Sequence, residues 1–454
     1  MGKPINEREL ILEILTEVTE HGGYSHIVLR ETLEKYQYLD KRERAFITRV
    51  TEGTLEHMLE LDYILDQFSK VRTKKMKPVI RNILRSAVYQ IKYMDSVPDS
   101  AVCNEAVKLA ARKGFGGLRG YVNGVLRTVA REIDTVQYPS DPLRRMSVCY
   151  SMPEWILRLW LGAYAPETVE AMLRSFQEEQ PLTIRCNQTK VTPEELKKHL
   201  EQEGVTAAEH PYLSYALQIS GYDYLGRLDS FRDGEFYVQD ISSMLVCELA
   251  SPKAGDRVID VCAAPGGKSL HMAELIASAD GPAGGSVEAR DLTWQKVELI
   301  EENIRRSGMT NISAIRQDAL QFTPDAVETA DIVLADLPCS GLGVIGKKPD
   351  LKYKTTEAGI TELAGLQRRI LENVQAYVKP GGKLVYSTCT VSPAENQDNV
   401  RWFLQQHPEY SLCDIRPLLC GQLQDAVRDG GCLQLLPGVH KSDGFFIAIM
   451  EKGL

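Results

Sequence analysis

Two cysteines stand in settings suited to covalent chemistry. Cys339 lies in Asp336-Leu-Pro-Cys339-Ser-Gly341, and Cys389 closes Ser387-Thr-Cys389. The apolar runs before them, 331–335 and 382–387, read as the fourth and fifth strands of a parallel sheet. Neighbouring strands of such a sheet would deliver both thiols to one crevice at their carboxyl ends. A lone cysteine is usually a small buried hydrophobe, but a pair in one crevice suits nucleophilic work. The thiolate is the reactive form, and a free thiol titrates at about 8.5, so the site must favour ionisation. A thiolate adding to C6 of a pyrimidine turns the unreactive C5 into an enamine-like carbon that can attack a methyl group. A base must then remove the C5 proton so that the thiol can leave. Spacing alone does not decide which cysteine attacks. Asp336 is placed to hold N3 or N4 of a cytosine, and donation to the ring would require it or a neighbour to be protonated.

That chemistry needs a methyl donor. Arg257-Val-Ile-Asp-Val-Cys262 reads as a first strand, running into Ala263-Ala264-Pro265-Gly266-Gly267-Lys268 and a helix from about Ser269. A glycine loop between strand and helix lets backbone approach a nucleotide-like ligand. The loop has neither G-x-G-x-x-G nor Walker A spacing, so pyrophosphate and triphosphate binding are disfavoured. The second strand, 286–290, ends at Asp291, suited to ribose hydroxyls, and the third, 312–316, delivers Asp318 towards an adenine amino group. Together these favour S-adenosylmethionine. Lys268 would reach the cofactor carboxylate or the target base; the plainer alternative is a lysine that only covers the loop.

Upstream, residues 6–131 read as consecutive helices. Asn6 with Glu9 makes a capping-box-like start, and Leu10, Ile11, Ile14, Leu15 and Val18 form one apolar face. Helical patterns continue over 26–37, 41–68, 76–93, 101–113 and 118–131, ending before Tyr138-Pro139-Ser140-Asp141-Pro142. A segment at about 146–235 mixes helices with short strands and reads as a small α+β module. Beyond it, strands alternate with helices, the mark of a doubly wound parallel sheet. The expected organisation is therefore an all-α domain over 1–138, the small module over 146–235, and an α/β Rossmann-like domain with a mostly parallel sheet over 236–454.

At 454 residues, 43 % hydrophobic and 25 % charged, the chain is ordinary globular material for several domains. Its net charge of −9 argues at first sight against nucleic acid. The distribution argues otherwise: residues 1–69 carry net −6, whereas 70–131 hold 14 basic residues against Asp95, Asp99 and Glu105. So one-sided a stretch favours phosphate binding over a mixed solvated face. The ten cysteines include no C-x-x-C pair, and Cys413, Cys420 and Cys432 lack zinc spacing. With no apolar run near the roughly 20 residues of a membrane span and no signal core, a reducing cytoplasmic setting without membrane or metal is expected. None of the eight histidines is assigned a role; Trp402 and Phe403 read as core, and Phe445-Phe446 as a late strand.

The motifs together carry a resemblance. Asp260-Val-Cys-Ala-Ala-Pro-Gly-Gly-Lys-Ser269, Asp336-Leu-Pro-Cys-Ser-Gly341, Lys348-Pro-Asp350, Ser387-Thr-Cys389 and Asp443-Gly-Phe-Phe446 resemble the RNA 5-methylcytosine methyltransferases, as does Val238-Gln-Asp240 with Ser242-Ser243. The helical region is similar to the NusB-type RNA-binding fold, a pairing that resembles the Sun/Fmu group of that family. The resemblance implies methylation of a 16S rRNA cytosine at C5, on free or partly assembled RNA. It also implies that Cys389 attacks C6, Cys339 assists product release, and Asp336 sits between cofactor and base. By the same likeness Cys262, Ala263, Ala264, Pro265, Gly266, Gly267 and Lys268 line the cofactor, with Asp291 at ribose and Asp318 by adenine. The stretch 278–285 is longer and richer in glycine than the family pattern, which makes Glu288 the alternative to Asp291. Rival readings are the same chemistry on tRNA, a non-catalytic ribosome-assembly factor and a nicotinamide-dependent oxidoreductase. The intact thiols weigh against the second and the absent G-x-G-x-x-G against the third.

Overall fold

The structure, a computed structural model, describes residues 6–36, 38–277 and 284–454. Contacts divide the chain into two compact units: one up to Glu178 together with Ile345–Lys354, the other Glu179–Val344 with Thr355–Leu454.

In the first unit seven helices share one apolar core: α1 (Glu7–Glu20), α2 (Ser25–Lys35), α3 (Lys41–Glu56), α4 (Met58–Phe68), α5 (Pro78–Tyr93), α6 (Asp99–Arg112) and α7 (Arg119–Glu132). The Asn6 side chain accepts from Glu9 N–H at 3.1 Å and starts α1. Ile14, Ile47, Leu61, Leu84, Val88 and Leu126 are fully or almost fully buried in that core. The continuous helix expected over 41–68 is two helices instead. His57 leaves the helical region at φ −95° and ψ 14°, and its ring stacks on Tyr93 with centroids 4.2 Å apart. Helical periodicity carries no sign of that tertiary contact. Three further helices, α8 (Pro142–Cys149), α9 (Glu154–Leu161) and α10 (Pro166–Ser175), belong to the same unit.

The second unit opens with a four-stranded antiparallel sheet: β1 (Leu182–Cys186), β2 (Thr206–Glu209), β3 (Ala216–Ser220) and β4 (Phe236–Val238), in the order β2-β3-β1-β4. Between β1 and β2 runs α11 (Pro193–Gln202), started by a Thr192–Glu195 capping box. The short α12 (Asp229–Arg232) precedes β4, and α13 (Ile241–Ala250) follows it.

The larger sheet is built from β5 (Arg257–Asp260), β6 (Ser286–Asp291), β7 (Ile312–Arg316), β8 (Ala330–Asp336) and β9 (Val378–Thr388), all parallel in the order β9-β8-β5-β6-β7. Antiparallel β13 (Phe445–Lys452) lies beside β9; β10 (Tyr410–Leu412) and β12 (Cys432–Leu435) pair with β13, and β11 (Val427–Arg428) pairs with β12. Helices α14 (Gly267–Ile276), α15 (Trp294–Ser307), α17 (Glu357–Val374) and α18 (Gln397–Gln406) are spaced between strands; α16 (Leu351–Lys354) lies within the segment that joins the first unit. The central strands carry the apolar runs expected of strands enclosed on both faces: Ile332, Val333, Leu334 and Ala335 of β8 and Leu384, Val385 and Tyr386 of β9 are all buried.

Candidate active site

The carboxyl ends of the parallel strands gather most of the residues singled out above. β5 ends at Asp260, and α14 begins after Gly266, whose φ of +101° only glycine adopts without strain. No side chain caps α14, and its first internal bond runs from Leu270 N–H to Gly266 O. The preceding N–H groups of Gly267, Lys268 and Ser269 therefore lie at the helix's positive end.

Asp291 closes β6 almost fully buried and fastens the loop to the sheet. Its Oδ2 accepts Ala264 N–H at 2.9 Å, and its Oδ1 accepts Leu292 N–H at 2.7 Å and pairs with Lys296 at 2.9 Å. Oδ2 thus keeps a lone pair for a further donor. Glu288 lies mid-strand and pairs instead with Arg257 and Arg290. Most of 278–285 lies outside the described residues. Asp318 follows β7, half-buried, with Oδ1 accepting Leu320 N–H at 2.9 Å. Asp336 ends β8: Oδ2 meets Lys268 Nζ at 2.7 Å and Oδ1 accepts from the Ser387 hydroxyl at 2.7 Å. Burial alone would lower the Lys268 pKa, but the charge and hydrogen bond of Asp336, together with the Asp260 charge, outweigh it, so the ammonium is held above its ordinary value. Lys268 also stands 5.3 Å from the centroid of Phe445.

The two thiols meet. Asp336 and Ser387 are register partners across β8 and β9, and the loops beyond them bring the Cys339 and Cys389 sulfurs to 3.2 Å. Gly343 passes so close to Gly444 that a Cβ there would lie 1.9 Å from Gly444 O; it donates its N–H to Cys389 O at 3.1 Å. Contact with Cys389, then burial, pushes the Cys339 thiol well above the ordinary range.

Several participants escape sequence reasoning. Asp260 is wholly enclosed, accepts the Ser269 hydroxyl at 2.6 Å, and is pushed up by burial to about 7. Gln239 reads in the sequence only as part of a motif. Its Oε1 accepts Arg185 Nε at 2.8 Å, which leaves its buried Nε2 without a protein partner. Since an arginine can only donate, that contact fixes the orientation of the amide. Arg185 is itself buried, pairs with Glu274 and lies 4.5 Å from the Tyr237 ring centroid. Such buried polar groups in an antiparallel strand carry no local sequence signal. A Cβ on Gly267 would stand 3.8 Å from the Gln239 amide, so bare backbone, an orphan donor and a helix N-terminus converge there. With acids at the ends of β6 and β7, these groups fit an adenosyl ligand bearing a carboxylate but no phosphates.

This arrangement defines a class, the S-adenosylmethionine-dependent methyltransferases, here behind a NusB-type helical domain and a ferredoxin-like module. The 16S rRNA methyltransferase RsmB/F family profile matches residues 247–451, the NusB family matches 5–131, and the RsmF/B-like ferredoxin-like domain matches 152–222. A probable ribosomal RNA small subunit methyltransferase B from Bacillus subtilis (strain 168) is 37 % identical over 453 residues, covering 99 % of each chain. One of the same description from Synechocystis is 32 % identical, covering 99 % of this chain and 100 % of its own. The crystal structure of PH0851 superposes with a TM-score of 0.83 at 27 % identity, covering 100 % of both chains. The chain belongs to the 16S rRNA methyltransferase RsmB/F family, and its cofactor is S-adenosylmethionine. Among the described residues no helix is long and apolar enough to cross a membrane, and no cluster of three or more His, Cys, Asp or Glu is placed to hold a metal.

Proposed function

We propose that the chain methylates C5 of a cytosine in 16S rRNA through a covalent bond between Cys389 and C6. The observation that carries this reading is the pair of sulfurs 3.2 Å apart at the ends of β8 and β9, beside Asp336. When bound, S-adenosylmethionine supplies an electrophilic methyl group on a sulfonium. The Cys389 thiolate adds to C6, and the electron pair moves to C5, which would take the methyl group as its bond to the sulfonium sulfur breaks and S-adenosylhomocysteine leaves. A base then takes the C5 proton, the C5–C6 double bond re-forms, and the sulfur leaves as thiolate.

The two cysteines divide the labour by their electrostatics. Contact with Cys389 and burial favour the thiol form of Cys339, which suits it to donate a proton or a hydrogen bond rather than to attack. The Cys339 S–H then stabilises the departing Cys389 thiolate through a short hydrogen bond. Asp336 accepts from Lys268 and Ser387 and retains lone pairs for the N4 amino group of cytosine, which suits an acceptor more than a donor. Cys262 through Lys268 line the methyl donor, Asp291 takes its ribose and Asp318 its adenine. Exposed lysines ahead of α5 supply a sequence-independent hold on RNA phosphates.

Substitution of each thiol, assayed with 16S rRNA and labelled methyl donor, tests the assignment. Cys389→Ala abolishes turnover and any denaturant-stable RNA–protein complex; Cys339→Ala accumulates that complex. An exchange of the two outcomes would move the nucleophile to Cys339, and label found on a base other than cytosine would overturn the reading.

A further inference from the structure

Behind the thiols lies a buried polar cluster that the transfer chemistry does not use. Glu395 and Asn396, consecutive residues between β9 and α18, are both 0 % exposed. Glu395 Oε1 accepts Ser340 N–H at 2.8 Å, and its Oε2 accepts the Ser340 hydroxyl at 2.5 Å. Gln367 of α17 donates from Nε2 to Pro338 O at 2.9 Å and to Glu395 Oε1 at 3.2 Å. The residues on either side of Cys339 are thus held by Glu395 and its partner.

Asn396 does the same for the other thiol. Its Oδ1 accepts the Thr388 hydroxyl at 2.6 Å, and its Nδ2 donates to Thr390 O at 3.0 Å. The residues flanking Cys389 are therefore both tied to one amide. The two loops also meet directly, Ser340 Oγ lying 2.8 Å from Thr390 Oγ1. Further buried partners hold the clamp: Gln434 Oε1 accepts from Asn396 Nδ2 at 2.9 Å, and Gln367 Oε1 accepts from Asn399 at 2.8 Å and from the Tyr386 hydroxyl at 3.1 Å.

We propose that Glu395 and Asn396 are positioning residues, a two-residue clamp that sets the distance between the Cys339 and Cys389 sulfurs. Because the residues are adjacent, one short stretch of backbone fixes both thiol loops, and neither sulfur can drift without breaking a buried hydrogen bond. A buried donor or acceptor left unpaired is costly, so the cluster has few alternative arrangements. A covalent step is sensitive to displacements of about 1 Å, and the clamp removes that freedom. The roles of the thiols rest on the proposed C5 chemistry, but the spacing itself is measurable without RNA.

Phenylarsine oxide is the probe: it condenses with two neighbouring thiols, forming two As–S bonds and releasing water. Titrated into the full chain, it is captured by the Cys339–Cys389 pair, and Cys339→Ala gives the background. Glu395→Ala and Asn396→Ala are expected to weaken capture at least tenfold while S-adenosylhomocysteine binding stays within twofold. Glu395→Gln keeps an acceptor for Ser340 N–H and should restore capture to within threefold of wild type. Gln367→Ala, which frees Pro338 O, supplies the same reading if an alanine at 395 or 396 fails to fold. Capture at wild-type strength in the alanine variants overturns the clamp. So does a parallel loss of S-adenosylhomocysteine binding, which would mark general collapse. Because the titration contains no RNA, its outcome is independent of which thiol forms the adduct.

Discussion

Asp260 is the residue whose environment departs furthest from water among the acids of the cofactor loop. Burial raises its pKa to about 7, with the nearby Asp336 charge adding to the shift and the Ser269 hydroxyl and Lys268 opposing it. An acid held above its unfolded value binds its proton more tightly in the folded state, so stability is greatest at low pH and falls as the solution passes from about 4 to about 7. A shift of this size corresponds to a loss on the order of 4 kcal/mol. Asp260→Asn keeps an acceptor for Ser269 and removes the charge. Thermal midpoints of the two proteins should therefore diverge in favour of the variant between pH 5 and pH 8. A difference that stays constant with pH would contradict an uncharged Asp260 at low pH. The same residue illustrates the reach of sequence reading: Asp291 and Asp318 were legible because strand ends announce them, whereas Asp260 reveals its state only through enclosure.

At the scale of elements, the basic stretch 70–131 proves less one-sided than its composition. Arg81 pairs with Glu20, Arg85 with Asp62, Lys92 with Glu60, and Lys113 with Glu9 and Glu13. Acids of α1 and α4 thus neutralise cations on α5 and just past the end of α6, an exchange between helices distant in sequence. What remains exposed and without an ion pair among the described residues is Lys70, Lys74, Lys75, Lys77, Arg119 and Arg127. The four lysines precede α5 in one short run. Replacing all four by Gln should weaken RNA binding and reduce the slope of log K against log salt by about 3, at roughly 0.7–0.9 for each phosphate that is no longer neutralised. An unchanged slope in filter-binding measurements across salt concentrations would remove this run from the interface. Replacing Arg81 or Arg85 should act through stability instead, since each leaves a partly buried carboxylate without its partner.

At the scale of the molecule, connectivity and compactness part company. The chain leaves the parallel sheet after the Cys339 loop, gives Ile345–Lys354 to the helical unit, and returns with α17. Asp350, 1 % exposed, accepts both the backbone N–H and the hydroxyl of Ser25 at the start of α2, and pairs with Lys354 at 2.9 Å. Lys352, also buried, donates to Glu56 O at 2.8 Å, and burial lowers its pKa to about 7. Asp350→Ala removes the acceptor for the first N–H of α2 and the ion-pair partner of Lys354, at a cost of roughly 3 kcal/mol. Hydrogen exchange over Ser25–Lys35 should then accelerate about a hundredfold, whereas unaltered protection would show that the segment is only loosely held. The Lys348-Pro-Asp350 motif was visible in the sequence among the catalytic motifs; its place in the helical core was not.

The sequence by itself determined the succession of modules, the parallel sheet and the loops at its strand ends, because periodicity, glycines and capping residues act within a few residues of one another. It also marked both thiols and the acids that follow the strands. Only the tertiary structure decided the 3.2 Å approach of the sulfurs, the clamp formed by Glu395 and Asn396, and the partners of Asp260, Gln239 and Arg185. It likewise decided which cations of the basic stretch stay exposed without an ion pair among the described residues. The physical reason is common to all of these. Burial and hydrogen bonding join groups tens to hundreds of residues apart, and their energies depend on distance and enclosure, which no local pattern of residues records.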